Sequence, residues 1–293
     1  MKNVKFIIPI LLLLLASAAV GQDEGPPNDA KEKYNAGVLA TKANKNTEAA
    51  ANFQAAVDIY PKYADAWIEL GKAQYKLKKY TDAEKSLMKG VDLDSKNQLG
   101  YFALGLTRIE LKKYKLSEEA LLKSLALKEG DAETQKALGL LYFDQKEWPK
   151  AIKYYGDYVK FAAKDATSMV KLAQAYREAG QAEKAEATYQ QAIKVDPSLW
   201  EAHLNLANLL REEKKYNAAI SSYKATIDAN NKAVIAYYGL AISYQGAEDY
   251  SNALKSYKQF VQVAGNSRKY SAEIKRAKAL IPQIQDYLDN SGE

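Results

Sequence analysis

Trp67-Ile68-Glu69-Leu70-Gly71 sets a large aromatic side chain, a leucine three residues on and a bare glycine four residues on along one side of a helix. Thirty-four residues to either side the glycine returns, as Gly37 and as Gly105. Further equal steps reach Gly139, Ala173, Ala207 and Ala241, so the position always has little or no side chain. A small residue at a fixed interval marks a place where two helices must come close.

Blocks of this length open at Ala30, Ala64, Gln98, Ala132, Ala166, Trp200 and Val234, and the last closes at Ser267 without insertion or deletion. Gly71 holds the eighth place of its block. The twentieth place is filled by Ala49, Ala83, Ser117, Ala151, Ala185, Ala219 and Ala253, a second small residue expected to face the first. Bulky residues lie between and after: Leu70, Leu104, Leu172 and Leu240 at the seventh place, and Phe53, Leu87, Leu121, Tyr155, Tyr189, Tyr223 and Tyr257 at the twenty-fourth. Val57, Val91, Leu125, Val159, Ile193, Ile227 and Val261 follow one helical turn later, giving each second helix one apolar stripe.

The pattern resembles the tetratricopeptide repeat, whose signature runs Trp-x-x-Leu-Gly-x-x-Tyr, then Ala-x-x-x-Phe, then Pro. Departures are mild. The closing proline survives as Pro61 and Pro197, and the Trp place holds Lys33, Gln135, Met169 and His203 in other blocks. The resemblance implies an all-α fold, a right-handed superhelical solenoid of seven 34-residue helix-turn-helix repeats (30–63, 64–97, 98–131, 132–165, 166–199, 200–233, 234–267). Tyr270, Ile274, Ala277, Leu280, Ile281 and Ile284 keep helical spacing beyond it, so 268–289 reads as a capping helix over the last repeat.

In such solenoids the first helix of each pair lines an inner groove, and its second, fifth, sixth, ninth, twelfth and thirteenth places turn into that groove. Carried onto this chain, those places hold Tyr75, then the large apolar side chains Leu99, Phe102, Leu106, Ile109, Leu140 and Phe143. The next two repeats offer Lys171, Gln174, Arg177, Asn205, Asn208 and Arg211, and the seventh returns to Tyr238 and Ile242. The resemblance therefore implies a partner-binding groove with an apolar stretch and a polar, partly basic one. The family's chaperone-binding carboxylate clamp is missing: Lys136 is followed by Leu140 where that clamp needs asparagine, and past Asn205 come Ile235 and Gly239 in place of bases.

The N-terminal residues read as an address. Lys2 and Lys5 precede an apolar run from Phe6 to Leu15 and the small residues Ala16 to Ala19, the three-part build of a cleavable signal peptide over 1–21, with cleavage expected before Gln22. The run is shorter than the roughly 20 residues of a spanning helix. Residues 22–29 then form an acidic linker, and the mature chain is expected to have no stable membrane span and to reside in a periplasm or outside the cell.

Composition closes off other chemistries. Cysteine is absent, so disulfides, thiolate catalysis and cysteine-bound metals are excluded. The 42 basic and 36 acidic residues are mixed along the chain with no basic block of the kind that follows a phosphate backbone, which argues against nucleic acid. The one histidine, His203, falls at a core-facing place and reads as structural. No phosphate loop, serine elbow or zinc-binding helix motif occurs.

The expectation is a non-catalytic scaffold, without cofactor or metal, that binds a protein or peptide in its groove. A glycan- or cell-wall-binding module and an accessory subunit of an envelope enzyme or secretion complex are the alternatives.

Overall fold

The computed structural model describes residues 25–291. The signal-peptide reading and residues 22–24 of the linker lie outside these residues. Seven helix pairs follow one another: α1 (Asn28–Lys42) with α2 (Asn46–Ile59), α3 (Ala64–Lys76) with α4 (Tyr80–Leu93), α5 (Gln98–Glu110) with α6 (Tyr114–Leu127), α7 (Ala132–Asp144) with α8 (Trp148–Phe161), α9 (Ala166–Glu178) with α10 (Ala182–Val195), α11 (Trp200–Glu212) with α12 (Tyr216–Ala229), and α13 (Val234–Gly246) with α14 (Tyr250–Ala264). A short 3-10 turn (Arg268–Tyr270) leads into α15 (Ser271–Ser291). No strand occurs among the described residues.

Each helix packs on the next in sequence, and α3 also meets α5, α5 meets α7, α9 meets α11 and α11 meets α13. The second helices of successive pairs make no comparable contact. First helices are therefore the more crowded layer, which bends the stack around them and makes them its inner wall.

Within a pair the chain reverses through a residue in left-handed backbone conformation. Gly180 occupies it in the fifth repeat at φ 74°, but Lys78, Lys112, Lys146 and Lys214 hold the same place at φ between 56° and 60°. A residue with a Cβ is disfavoured there by about 1 kcal/mol. Between pairs, Asn97, Asp131 and Asp165 accept a hydrogen bond from the backbone N–H three residues on and so start α5, α7 and α9.

The eighth place is tight, though its partner differs from the one expected. A Cβ added to Gly71 would lie 2.5 Å from Leu87 Cγ, one on Gly105 2.5 Å from Leu121 Cγ, and one on Gly139 2.8 Å from Tyr155 Cγ. The notch thus receives the bulky twenty-fourth side chain, because that side chain lies across the first helix. The small twentieth residue also meets the notch: the Ala83 backbone carbonyl oxygen is 3.1 Å from the Gly71 Cβ position, and the Ser117 side chain donates from Oγ to the Gly105 carbonyl at 2.8 Å.

The two ends of the stack are finished differently. At the tenth place Ala73, Thr107, Leu141, Ala175, Leu209 and Ser243 are buried under the preceding repeat, whereas Leu39, with no repeat before it, is 66% exposed. Glu32 stands at the third place, where later repeats bury a small residue, and Ala36 at the seventh, where they bury leucine. A charge and a smaller apolar side chain keep this end wettable. At the other end α15 lies on α14 and buries Ile274, Ala277, Ile284 and Leu288 in the core of the last three repeats.

Candidate functional site

The inner wall divides in two. In the third and fourth repeats Phe102, Leu106 and Ile109 from α5 and Phe143 from α7 gather around Leu121, Leu138 and Leu141. These four are half-buried, more sheltered than open groove residues would be, because inner-wall curvature packs the first helices on one another; Leu99 and Leu140 remain exposed at 56% and 37%. Phe143 is held edge-on by Trp148 at 5.5 Å and by Tyr155 at 6.4 Å between ring centroids. Lys171 from the fifth repeat sets its ammonium 4.6 Å above the Phe143 ring, so a cation–π contact joins the apolar stretch to the polar one. Tyr75, at the near edge, packs on Tyr80 and donates a long hydrogen bond of 3.5 Å to Glu110.

The polar residues of the later repeats are engaged within the protein. The Tyr223 hydroxyl reaches through from the twenty-fourth place, donates to Asn208 Oδ1 at 2.6 Å and accepts from Arg211 Nε at 3.1 Å. Tyr257 donates in the same manner to Gln245 Oε1 at 2.8 Å. Asn205 donates to the Glu201 carbonyl one turn back, and Arg177 pairs with Glu178 at 2.9 Å. Gln174 is half-buried at the ninth place of the fifth repeat, and the hydroxyl of Tyr189, at the twenty-fourth place of that repeat, is buried without a hydrogen-bond partner among the described residues. Tyr238 packs tilted against Phe260 at 5.0 Å and edge-on against Tyr257 at 6.0 Å between ring centroids, and Ile242 packs against the same core. Part of what reads as a ligand-facing lining is thus support for tyrosine hydroxyls arriving from the core.

A set of carboxylates not singled out from the sequence ties successive repeats together. Glu84, buried at 7% exposure, accepts from Arg108 and Lys113 of the next repeat. Burial opposes its ionised form, but the two cationic donors hold its carboxyl below the ordinary range. At the same twenty-first place Glu118 accepts from Tyr142 at 2.6 Å and Glu186 from Lys215 at 2.8 Å. The recurrence of glutamate at this place was the available signal.

His203 does have a structural partner: its Nε2 lies 3.0 Å from the Pro197 carbonyl oxygen, the same tie that Trp67 Nε1 makes to the Pro61 carbonyl at 2.9 Å. No cluster of His, Asp and Glu that could hold a metal is found among the described residues.

Two clefts lie apart from the apolar stretch, one of them reaching Arg108. One of about 690 Å³, beside Met88, Val91 and Tyr101, lies between α4 and α5, and one of about 600 Å³, beside Gly156, Met169 and Tyr176, is lined by α8, α9 and α10. Both are open and shallow.

Models described as tetratricopeptide repeat match residues 40–102, 100–131, 131–198, 170–234 and 235–267, together covering the stack from α1 to its last pair. No curated protein matches by sequence. Solved structures with a similar fold include the C-terminal part of a TPR repeat-containing protein from Cytophaga hutchinsonii, 16% identical at TM-score 0.70, over 82% of this chain and 98% of that one. YrrB, described as a TPR protein with an unusual peptide-binding site, is 17% identical at TM-score 0.58, over 63% and 95%. A chain of the APC/C hetero-tetramer Cut9-Hcn1 is 20% identical at TM-score 0.56 over 73% of this chain, which spans only 42% of it. At these identities the likeness is one of fold.

Proposed function

Because this chain belongs to the tetratricopeptide repeat family, we propose that it is a non-catalytic scaffold that holds an extended segment of a partner protein along its inner wall. The observation that carries this reading is the apolar stretch of the third and fourth repeats, where Leu99 and Leu140 stand exposed beside half-buried Phe102, Leu106, Ile109 and Phe143. YrrB, with its peptide-binding site, and Cut9, assembled with Hcn1, are consistent with such a role.

The energetics set the kind of partner. Full burial of four such side chains is worth on the order of 6 to 12 kcal/mol, and half of their surface is already covered, so a partner gains about 3 to 6. Association costs about 4 kcal/mol or more. Apolar contact alone therefore leaves little surplus, and the affinity must draw on hydrogen bonds from the neighbouring stretch. Lys171, at the seam, and Gln174, whose amide is not committed within the protein, are placed to make them. A segment with one or two bulky apolar residues followed by acceptor-rich backbone or carboxylates fits both stretches.

The charged and apolar N-terminal residues support placing this scaffold in a cell envelope, after export and cleavage before Gln22. Among the described residues no helix is long and apolar enough to cross a membrane. The test is capture of partners from an envelope extract by the wild type and by a Phe102→Asp, Phe143→Asp double variant whose helicity is verified by circular dichroism. The expected outcome is loss of the partners held by the wild type. Full retention would sink the groove reading.

A further inference from the structure

Leu77-Lys78-Lys79-Tyr80 and Leu111-Lys112-Lys113-Tyr114 are the same four residues at the same places of consecutive repeats, and they form the turns that join α3 to α4 and α5 to α6. The turns are neighbours: Leu111 of one lines a shallow recess with Lys78, Lys79 and Tyr80 of the other, and Lys113 reaches back to Glu84. With Lys76 and Lys115 they put exposed ammonium groups on one edge of the stack, against Asp82 and Glu110. Among the described residues only Lys113 of these lysines is engaged in an ion pair. The sixth repeat also carries Lys214-Lys215-Tyr216, but there Lys215 is paired with Glu186 and Glu213 and the neighbouring turns offer Gly180-Gln181 and Glu248-Asp249, so only the second and third repeats set two such lysine turns side by side.

Two features show what this edge suits. Lys78 and Lys112 occupy the left-handed backbone place, at φ 60° and 56°, where Gly180 shows that glycine fits the same turn. Lys146 and Lys214 hold the same place in other repeats, so what sets this edge apart is that two such lysines, each followed by a second, stand on adjacent turns. Every base on these two turns is lysine, and arginine is absent from them. A lysine ammonium is a hydrated point charge with no directional fork, whereas arginine is the residue that reads single phosphates or carboxylates bidentately. Protruding turns without a cleft, rich in point charges and flanked by the half-exposed rings of Tyr80 and Tyr114, match a flat array of anionic headgroups and offer nothing to enclose a strand.

We infer that the edge formed by the turns of the second and third repeats rests on an anionic phospholipid surface, leaving the inner wall free for its partner. The experiment is sedimentation of the full chain with vesicles of phosphatidylcholine alone or with one part in three phosphatidylglycerol. The apolar N-terminal residues are common to all variants, so the reading lies in the differences.

Each lysine near such a surface is worth about a fivefold change in partition. Lys78→Glu, Lys79→Glu, Lys112→Glu should therefore lower binding to anionic vesicles by at least about tenfold. The charge-matched control Lys194→Glu, Lys232→Glu, Lys255→Glu should stay within about twofold of the wild type. Lys78→Gly, Lys112→Gly relaxes the backbone and so should fold at least as well while binding several-fold more weakly, which separates surface attachment from folding. The idea is overturned by an equal fall in both triple variants, by indifference to phosphatidylglycerol, or by this edge preferring a single-stranded polynucleotide or polyglutamate to the vesicles.

Discussion

The first four repeats have glycine at the eighth place and the last three have alanine, and the residues around that notch change with it. Gly37, Gly71 and Gly105 receive Phe53, Leu87 and Leu121, which end in hydrocarbon, and the inner wall above the last of these is Ile109. Ala207 and Ala241 belong to repeats whose twenty-fourth residues are Tyr223 and Tyr257, and there the twelfth place becomes Arg211 or Gln245 to meet the phenol. The fourth repeat is mixed, with Gly139 under the Tyr155 ring and Phe143 edge-on to it. The polarity of the groove is therefore coupled to what the core sends through the first helix. A surface that looks selected for a ligand is in part selected for its own tyrosines.

The sharpest way to break this contrast is at the notch. Gly139→Ala puts a methyl 2.8 to 3.0 Å from the buried Tyr155 ring, and should cost about 2 kcal/mol even though alanine is the better helix former. Ala207→Gly should cost only about 1 kcal/mol, the propensity difference alone. Denaturant midpoints measure both, and equal losses would mean that the two halves pack alike. Tyr223→Phe should cost about 1 kcal/mol, because Asn208 and Arg211 are half-exposed and water replaces the phenol. That substitution also frees their amide and guanidinium, so partner affinity should rise or hold while stability falls. Parallel loss of both would show that the tyrosine positions the groove.

The smallest effect concerns the joint between the halves. Burial would raise the Asp165 pKa, but Lys136, the Ser168 N–H, the Tyr158 hydroxyl and the Ser168 hydroxyl all donate to it and hold the carboxyl far below its ordinary value. A depressed folded-state pKa means that the stabilisation is complete above the unfolded value, about 4, and is lost as pH falls below it. Acidification should loosen amide-exchange protection in the first turn of α9 before that of α11, whose preceding residue is Leu199. Asp165→Asn should abolish that difference. If α9 and α11 loosen together in the wild type, the joint has no special acid sensitivity.

The recurrence of Gly71, Leu87 and their equivalents made the paired helices, their order and the closing helix legible, because a helix pair cannot bury its own faces and a constant interval forces neighbours into the same contact. The candidate groove was legible only as a set of places on first helices. Whether Asn208 faces a partner or a phenol depends on how far Tyr223 reaches from another helix fifteen residues on, and no local pattern encodes that distance. Likewise glutamate at the twenty-first place is an ordinary surface residue until Arg108 and Lys113 of the next repeat close over Glu84. Period and residue size are local properties of a chain, and they fixed the architecture; the commitments of polar side chains depend on distances between helices, and those exist only once the helices have stacked.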